Sequence, residues 1–153
     1  MKKRRGFTLV ELMTVVIVMT LLAGIAVLKY VDLRNNAVAA QVANEFRAIA
    51  VATLNYHADS ETWPPETGAG GVPVGLGPLL PGQLAGSFDR DKYLLDYENF
   101  GGTNPDVLIG VAVTTPDPRL FAKFVQYLGT KSPFFLTGSS KLTYLIAGPG
   151  GVF

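Results

Sequence analysis

KKRRGFTLVELMTVVIVMTLLAGIAVL occupies residues 2–28, and the reading of the whole chain turns on it. Four cations, Lys2, Lys3, Arg4 and Arg5, stand together. Gly6 follows, and then a run from Phe7 to Leu28 whose only charge is Glu11. At about 1.5 Å rise per residue a helix over this run is roughly 33 Å long, enough to cross a hydrocarbon layer of about 30 Å. Its many β-branched residues do not oppose a helix, because in lipid the backbone must satisfy its own hydrogen bonds. The basic block in front sets the orientation, with the N-terminus cytoplasmic and the rest carried across.

Three accounts compete for this run. A secretory signal has an apolar region of about 7 to 15 residues before a small-x-small cleavage site. Ala23-Gly24-Ile25-Ala26 supplies small residues, but the run is longer than that and has an acid near its start. A plain anchor explains length and orientation and leaves Glu11 aside. An ionisable group inside the bilayer costs at least ~2.5 kcal/mol unless it is interfacial, protonated or paired. The third account places Glu11 at the headgroup level.

Lys2-Lys3-Arg4-Arg5-Gly6, then Phe7-Thr8-Leu9-Val10-Glu11-Leu12 and the apolar run, resembles the type IV pilin-like family: type IV pilins and the pseudopilins of type II secretion. The resemblance implies cleavage after Gly6, on the cytoplasmic side, by a membrane prepilin peptidase that also N-methylates Phe7. It assigns Glu11 to assembly. The implied product is a non-enzymatic filament subunit of a secretion pseudopilus or a type IV pilus, with no cofactor. Its implied partners are the prepilin peptidase/N-methyltransferase, copies of itself and other pilin-like subunits, an inner-membrane assembly platform and the lipid bilayer. Nucleic acid is not an expected partner, because the cations of the head are scattered and form no basic run. Its implied location is the inner membrane, as a single pass with a periplasmic head, and then the filament. The alternative is an unprocessed single-pass protein whose periplasmic head is a binding or interaction module.

Physical chemistry fits that resemblance. Cleavage would expose a cationic amine at Phe7. Among packed apolar stems, an amine and a carboxylate are each costly alone and far less costly together. Glu11 of one subunit is therefore expected to face the Phe7 amine of a neighbour and so to set axial register. Loss of residues 1–6 would also change the charge, from 13 basic against 12 acidic residues to nine against twelve.

Beyond Lys29 and Tyr30 the pattern stays helical. Val31, Val38, Val42, Phe46, Ile49, Thr53 and Tyr56 recur mostly at spacings of three, four or seven. Asn44, Glu45 and Arg47 are among the polar positions between them, and no Pro occurs before Pro64. One helix from Phe7 to Ala58 is predicted. The family's helix-kinking Pro near the membrane exit is missing, with Leu28 in its place, so Gly24 or Asn35-Asn36 are the softer points. The expected fold is α+β and pilin-like, a long N-terminal helix packed against a small antiparallel sheet. Its expected divisions are a leader (1–6), a transmembrane helix (7–28), a periplasmic stem (29–58) and a head (59–153).

In the head, Pro64-Pro65 and the glycine-rich segments up to residue 88 predict loops, with Leu76, Leu79, Leu80 and Leu84 in a short apolar turn. Strands are predicted at 93–100 and 107–114, separated by a turn at Gly101-Gly102-Thr103-Asn104-Pro105. A short amphipathic helix follows at 119–128, then a hairpin of 134–136 with 141–147.

Composition narrows the function classes. Of 153 residues, 48% are hydrophobic and 16% charged, below the roughly 25% usual for soluble domains, which argues against disorder and against a highly charged nucleic-acid binder. No cysteine is present, so disulfides, thiolate clusters and Cys nucleophiles are excluded. His57 is the only histidine and has no catalytic partner pattern around it. It reads as a polar residue at the helix end, as do Asp59 and Glu61. The glycines at 68–77 lack the Gly-Lys-Ser/Thr of a phosphate loop. Asp89 and Asp91, flanking Arg90, are the one carboxylate pair considered for a cation, and no metal is expected. The C-terminal run Gly148–Phe153 has no carboxylate side chain for the calcium site known in major pseudopilins. Head cations are scattered, and only Lys123, Lys131 and Lys141 are candidates for a patch.

Overall fold

The computed structural model describes residues 6–101, 108–129, 133–148 and 151–152. Three sequence features therefore lie outside the described residues: the basic block Lys2–Arg5, the predicted turn beyond Gly101, and Lys131. Val107, Pro149, Gly150 and Phe153 lie outside them as well.

Helix α1 runs Leu9–Ser60, 52 residues, and is unbroken at Gly24 and at Asn35-Asn36. It begins two residues later than predicted because Thr8 caps it and leaves Phe7 outside. It also ends two residues later. Ser60 Oγ donates to the Tyr56 carbonyl (2.7 Å), and Glu61 takes a left-handed conformation (φ 56°) with its N–H on the His57 carbonyl (2.8 Å). Such a residue just past the last turn satisfies a carbonyl that the helix leaves open.

The chain forms two units, Met1–Asn35 and Asn36–Phe153, and the boundary falls within α1. In the first unit every described residue from Gly6 to Arg34 is exposed. This half of α1 is long and apolar enough to cross a membrane.

In the second unit the predicted stripe becomes a buried face. Val42, Phe46, Ile49 and Thr53 are at most 1% exposed, while Val38 and Tyr56 pack at the margin of the same core. Val31 belongs to the other unit and is exposed.

The sheet is antiparallel in the order β1-β2-β4-β3. Its strands are β1 (Leu94–Asn99), β2 (Ile109–Thr114), β3 (Phe134–Leu136) and β4 (Lys141–Gly148). A two-residue strand, β5 (Gly151–Val152), also pairs with β4. Strand pleating sends alternate side chains to opposite faces. In register, Tyr97, Val111, Tyr144 and Phe134 form one cross-sheet row. That face meets α1, with the Phe46 ring centroid 5.9 Å from Tyr144 and 6.0 Å from Phe134. A register shift at Ile109/Gly110 brings the backbone close enough that a Cβ on Gly110 would lie 2.9 Å from the Tyr144 carbonyl oxygen.

Helix α2 (Pro118–Tyr127) stands between β2 and β3 in sequence. Asp117 caps it by accepting from the Arg119 N–H (2.8 Å), Pro118 fits its first turn, and Leu120 and Phe124 are buried. The leucines between the stem and β1 lie within or directly beside two 3-10 turns, Gly77–Leu79, flanked by Leu76 and Leu80, and Gly82–Ala85. Leu76, Leu80 and Leu84 are buried, whereas Leu79 is 41% exposed and does not join them.

Candidate functional site

The N-terminal segment is built from local bonds alone. Gly6, Phe7 and Thr8 are non-helical and exposed, with Phe7 76% accessible, directly ahead of α1. Thr8 and Glu11 form a reciprocal cap. The Thr8 N–H and hydroxyl both donate to Glu11 Oε2 (3.1 and 3.0 Å), and the Glu11 N–H donates to Thr8 Oγ1 (3.3 Å). A Thr at the cap and a Glu three residues on satisfy helix donors that have no carbonyl partner. Of the three residues singled out in the sequence, Gly6 and Phe7 are therefore adjacent in accessible, non-helical backbone. Glu11 sits on the first helical turn with a partner inside its own chain. The sequence signal for this role of Thr8 is the spacing Thr-x-x-Glu before an apolar run, which the motif contains.

Two polar clusters in the head were not anticipated. In the first, Glu45 of α1 accepts from the Tyr93 hydroxyl at Oε2 (2.8 Å) and from Gln41 Nε2 at Oε1 (3.0 Å), and Arg90 Nε lies 3.5 Å from the same Oε1. Burial, with the Glu45 carboxylate alongside, pushes the Tyr93 hydroxyl above the ordinary tyrosine range. The arrangement ties α1 to the segment that precedes β1.

In the second cluster, Lys141 of β4 reaches across β2 to pair with Glu98 and Asp96 of β1, the Asp96 contact being 3.4 Å. All three side chains stand on the sheet face opposite α1, above Ala112. Burial and the neighbouring Glu98 raise the Asp96 carboxyl. Burial pulls the Lys141 ammonium down, but the Glu98 carboxylate outweighs it and the net displacement is upward. Lys141 is thereby engaged with carboxylates and supplies no cation to a patch with Lys123.

The remaining sequence candidates are apart from one another. Asp89 and Asp91 are exposed, while Arg90 between them turns to Glu45. Among the described residues no group of three or more His, Asp or Glu side chains is placed to hold a metal ion. His57 lies flat on Trp63, with ring centroids 3.9 Å apart and planes 2° from parallel, and Asp59 and Glu61 face solvent.

Residues 1–27 match the model for the prokaryotic N-terminal methylation motif. No curated protein and no solved structure matches the chain. The motif and the long apolar helix, the one such helix among the described residues, support single-pass anchoring in the inner membrane. What stands behind the motif, a long helix whose second half packs on a small antiparallel sheet, is a pilin-like architecture. The chain thus carries a prepilin-type N-terminal methylation motif and is consistent with the type IV pilin and pseudopilin family as a membrane-anchored subunit.

Proposed function

We propose that this chain is a structural subunit of a type II secretion pseudopilus or a type IV pilus-like filament, made as a precursor and cut between Gly6 and Phe7. The supporting observation is the accessible, non-helical Gly6-Phe7-Thr8 segment, set immediately before a capped apolar helix and inside the matched motif. A peptidase needs an extended backbone to reach the scissile carbonyl, and the Thr8 cap keeps the helix from consuming it.

In this reading the leader (1–6) is cytoplasmic, residues 7–28 span the bilayer, residues 29–58 are the periplasmic stem and residues 59–153 the head. The peptidase also methylates the new amine of Phe7. Glu11 then exchanges its Thr8 donors for the Phe7 amine of an adjoining subunit as the stems leave lipid for the filament core. The exposed apolar half of α1 supplies most of the assembly energy, since burying it against other stems satisfies what lipid satisfied before.

The test is the mass of the mature N-terminus in cells that contain the peptidase. The expected product lacks residues 1–6 and carries one methyl group on Phe7. An intact leader overturns the proposal and favours the unprocessed anchor.

A further inference from the structure

The head carries an exposed apolar projection and, elsewhere, an open aromatic groove. The projection belongs to the loop after α1. Val74 is 73% exposed, more than any other large apolar side chain described in this unit, and Pro78 and Leu79 are exposed in the same loop. Isolated exposed apolar residues are ordinary. This one is held in place. Pro73, Leu76 and Leu80 are buried, and the Leu76 and Leu79 N–H groups donate to Pro73 (3.0 Å) and Leu76 (2.9 Å). Gly75, at φ +91°, lies so close to the Tyr56 ring that a Cβ there would be 2.4 Å from it. A projection already fixed in shape loses little conformational freedom when it docks.

The groove has a volume of about 360 Å3, a size suited to several apolar side chains. Phe46 and Arg47 of α1, Tyr127 of α2, Phe134 of β3 and Tyr144 of β4 line it. Tyr127 is half-exposed at its lip.

Charge separates the two features. From Arg47 to Arg90 the intervening sequence has Asp59, Glu61, Glu66 and Asp89 but no Lys or Arg. After Asp117 it has Arg119, Lys123, Lys131 and Lys141 but no Asp or Glu. Arg119, Lys123 and Tyr127 follow one another at four-residue steps on one face of α2, and Arg47 lines the groove from α1. An acidic segment thus bears the projection, while Arg47 lines the groove and the basic helix α2 supplies one of its walls, a complementarity that favours their meeting.

They do not meet within one copy. Tyr56 touches the projection and Asn44 lines the groove, and these positions are roughly 18 Å apart along α1 at the ordinary helical rise. A projection and a recess at different heights engage only between copies displaced along the helix. Such a contact is heterologous and propagates instead of closing.

We infer that the Val74–Leu79 projection of one copy seats in the Phe46, Tyr127, Phe134 and Tyr144 groove of the next copy along the filament. This contact rests on the filament reading above and adds to it a head-to-head interface. The absence of native cysteine makes the test clean. The full chain carrying Val74→Cys with Tyr127→Cys is produced in cells that assemble it and treated with a short bismaleimide. Both positions are exposed, so neither substitution opens the core.

A ladder of trimers and higher species from the double variant, with neither single variant yielding more than traces, is the expected result. Filaments without a ladder overturn the contact and leave the filament reading intact. Dimers from Val74→Cys alone, an equal ladder from Val74→Cys with Phe100→Cys, or an adduct of Tyr127→Cys with a different protein also overturn it. Absence of filaments from the cysteine-free chain, with its leader retained, overturns the filament reading and the contact together.

Discussion

One helix, α1, lives under two different rules. From Leu9 to Arg34 it is apolar nearly all round and every residue is exposed; from Asn36 to Ser60 it shows one buried stripe and one polar face. A helix greasy on all sides needs a surrounding medium or other helices, whereas an amphipathic one needs only a single partner face. The sheet and loops of the same chain provide that partner for the second half. Every described residue of the first half is exposed, so its partner is a surrounding apolar medium, and the second half is where the fold is decided.

The sharpest way to break this contrast is to truncate one large side chain in each half. Phe46 is 1% exposed and touches the Phe134 and Tyr144 rings. Phe46→Ala should cost the head about 3–5 kcal/mol. Ile17→Ala, at a 57% exposed position, should leave the thermal midpoint of the head unchanged in detergent-solubilised chain. Equal losses from the two would mean that the halves share one cooperative fold.

The reverse substitution should act only on the first half. A lysine at Ile17, near the middle of the apolar run, should weaken membrane insertion by about 2.5–3.5 kcal/mol. Carbonate extraction would then release more of the chain. Gln41→Lys, on the exposed face of the second half, keeps a donor beside Glu45 and should change neither extraction nor head stability. Release of the Gln41 variant to the same extent would show that the bilayer reaches further along α1 than Leu28.

Both halves were legible in the sequence because their signals are local. Charge-free length marks the first, and the three-four spacing of Val42, Phe46, Ile49 and Thr53 marks the second. Strands β1 to β4 were legible too, within one or two residues, from their β-branched runs and glycine-rich turns, whereas the two-residue β5 was not. What was not legible depends on register and tertiary approach. Glu45 read as one more polar residue on the stem, since nothing local tells that Tyr93 and Arg90 return to it from far along the chain. The pairing of Lys141 with Asp96 and Glu98 needs β4 and β1 to flank β2 in one particular register, which composition does not specify. The groove beside Phe46 exists only once α1, α2, β3 and β4 are assembled.

The Lys141 cluster allows a finer test, one confined to the second unit and dependent on pH. Asp96 holds its proton more tightly folded than unfolded, because burial and Glu98 raise its carboxyl. Its contribution is therefore present at low pH and lost as pH rises past the usual carboxylate range, so ionised Asp96 subtracts stability at neutral pH. Asp96→Asn should be neutral or stabilising at pH 7. Glu98→Gln should cost about 1–3 kcal/mol, because it leaves a half-buried ammonium with a poorer partner. Lys141, displaced upward, contributes stability that is complete below about pH 10.4 and lost as pH rises through its folded value. The thermal midpoint should therefore fall at strongly alkaline pH in the wild type and less so in Lys141→Met. A destabilised Asp96→Asn would show that Asp96 is the principal partner of Lys141.

The smallest expected effect compares the two ends of α1. At the N-terminal end the first turn is exposed, and the cap between Thr8 and Glu11 is its only specific restraint among the described residues. Thr8→Val keeps the side-chain shape and removes the hydroxyl, so about 1 kcal/mol of local stability should go. Amide exchange at Leu9–Glu11 in micelles should then quicken roughly fivefold, while Thr8→Ser should exchange like the wild type. Glu11→Gln should also protect these amides, because a glutamine oxygen accepts the same bonds. At the C-terminal end Ser60→Ala removes a comparable hydroxyl bond to Tyr56. There the Glu61 cap and the packing of Thr53 and Tyr56 against the head remain, so exchange should quicken less. If both ends respond equally, tertiary packing contributes nothing to the end of the second half, and the contrast between the halves stops short of Ser60.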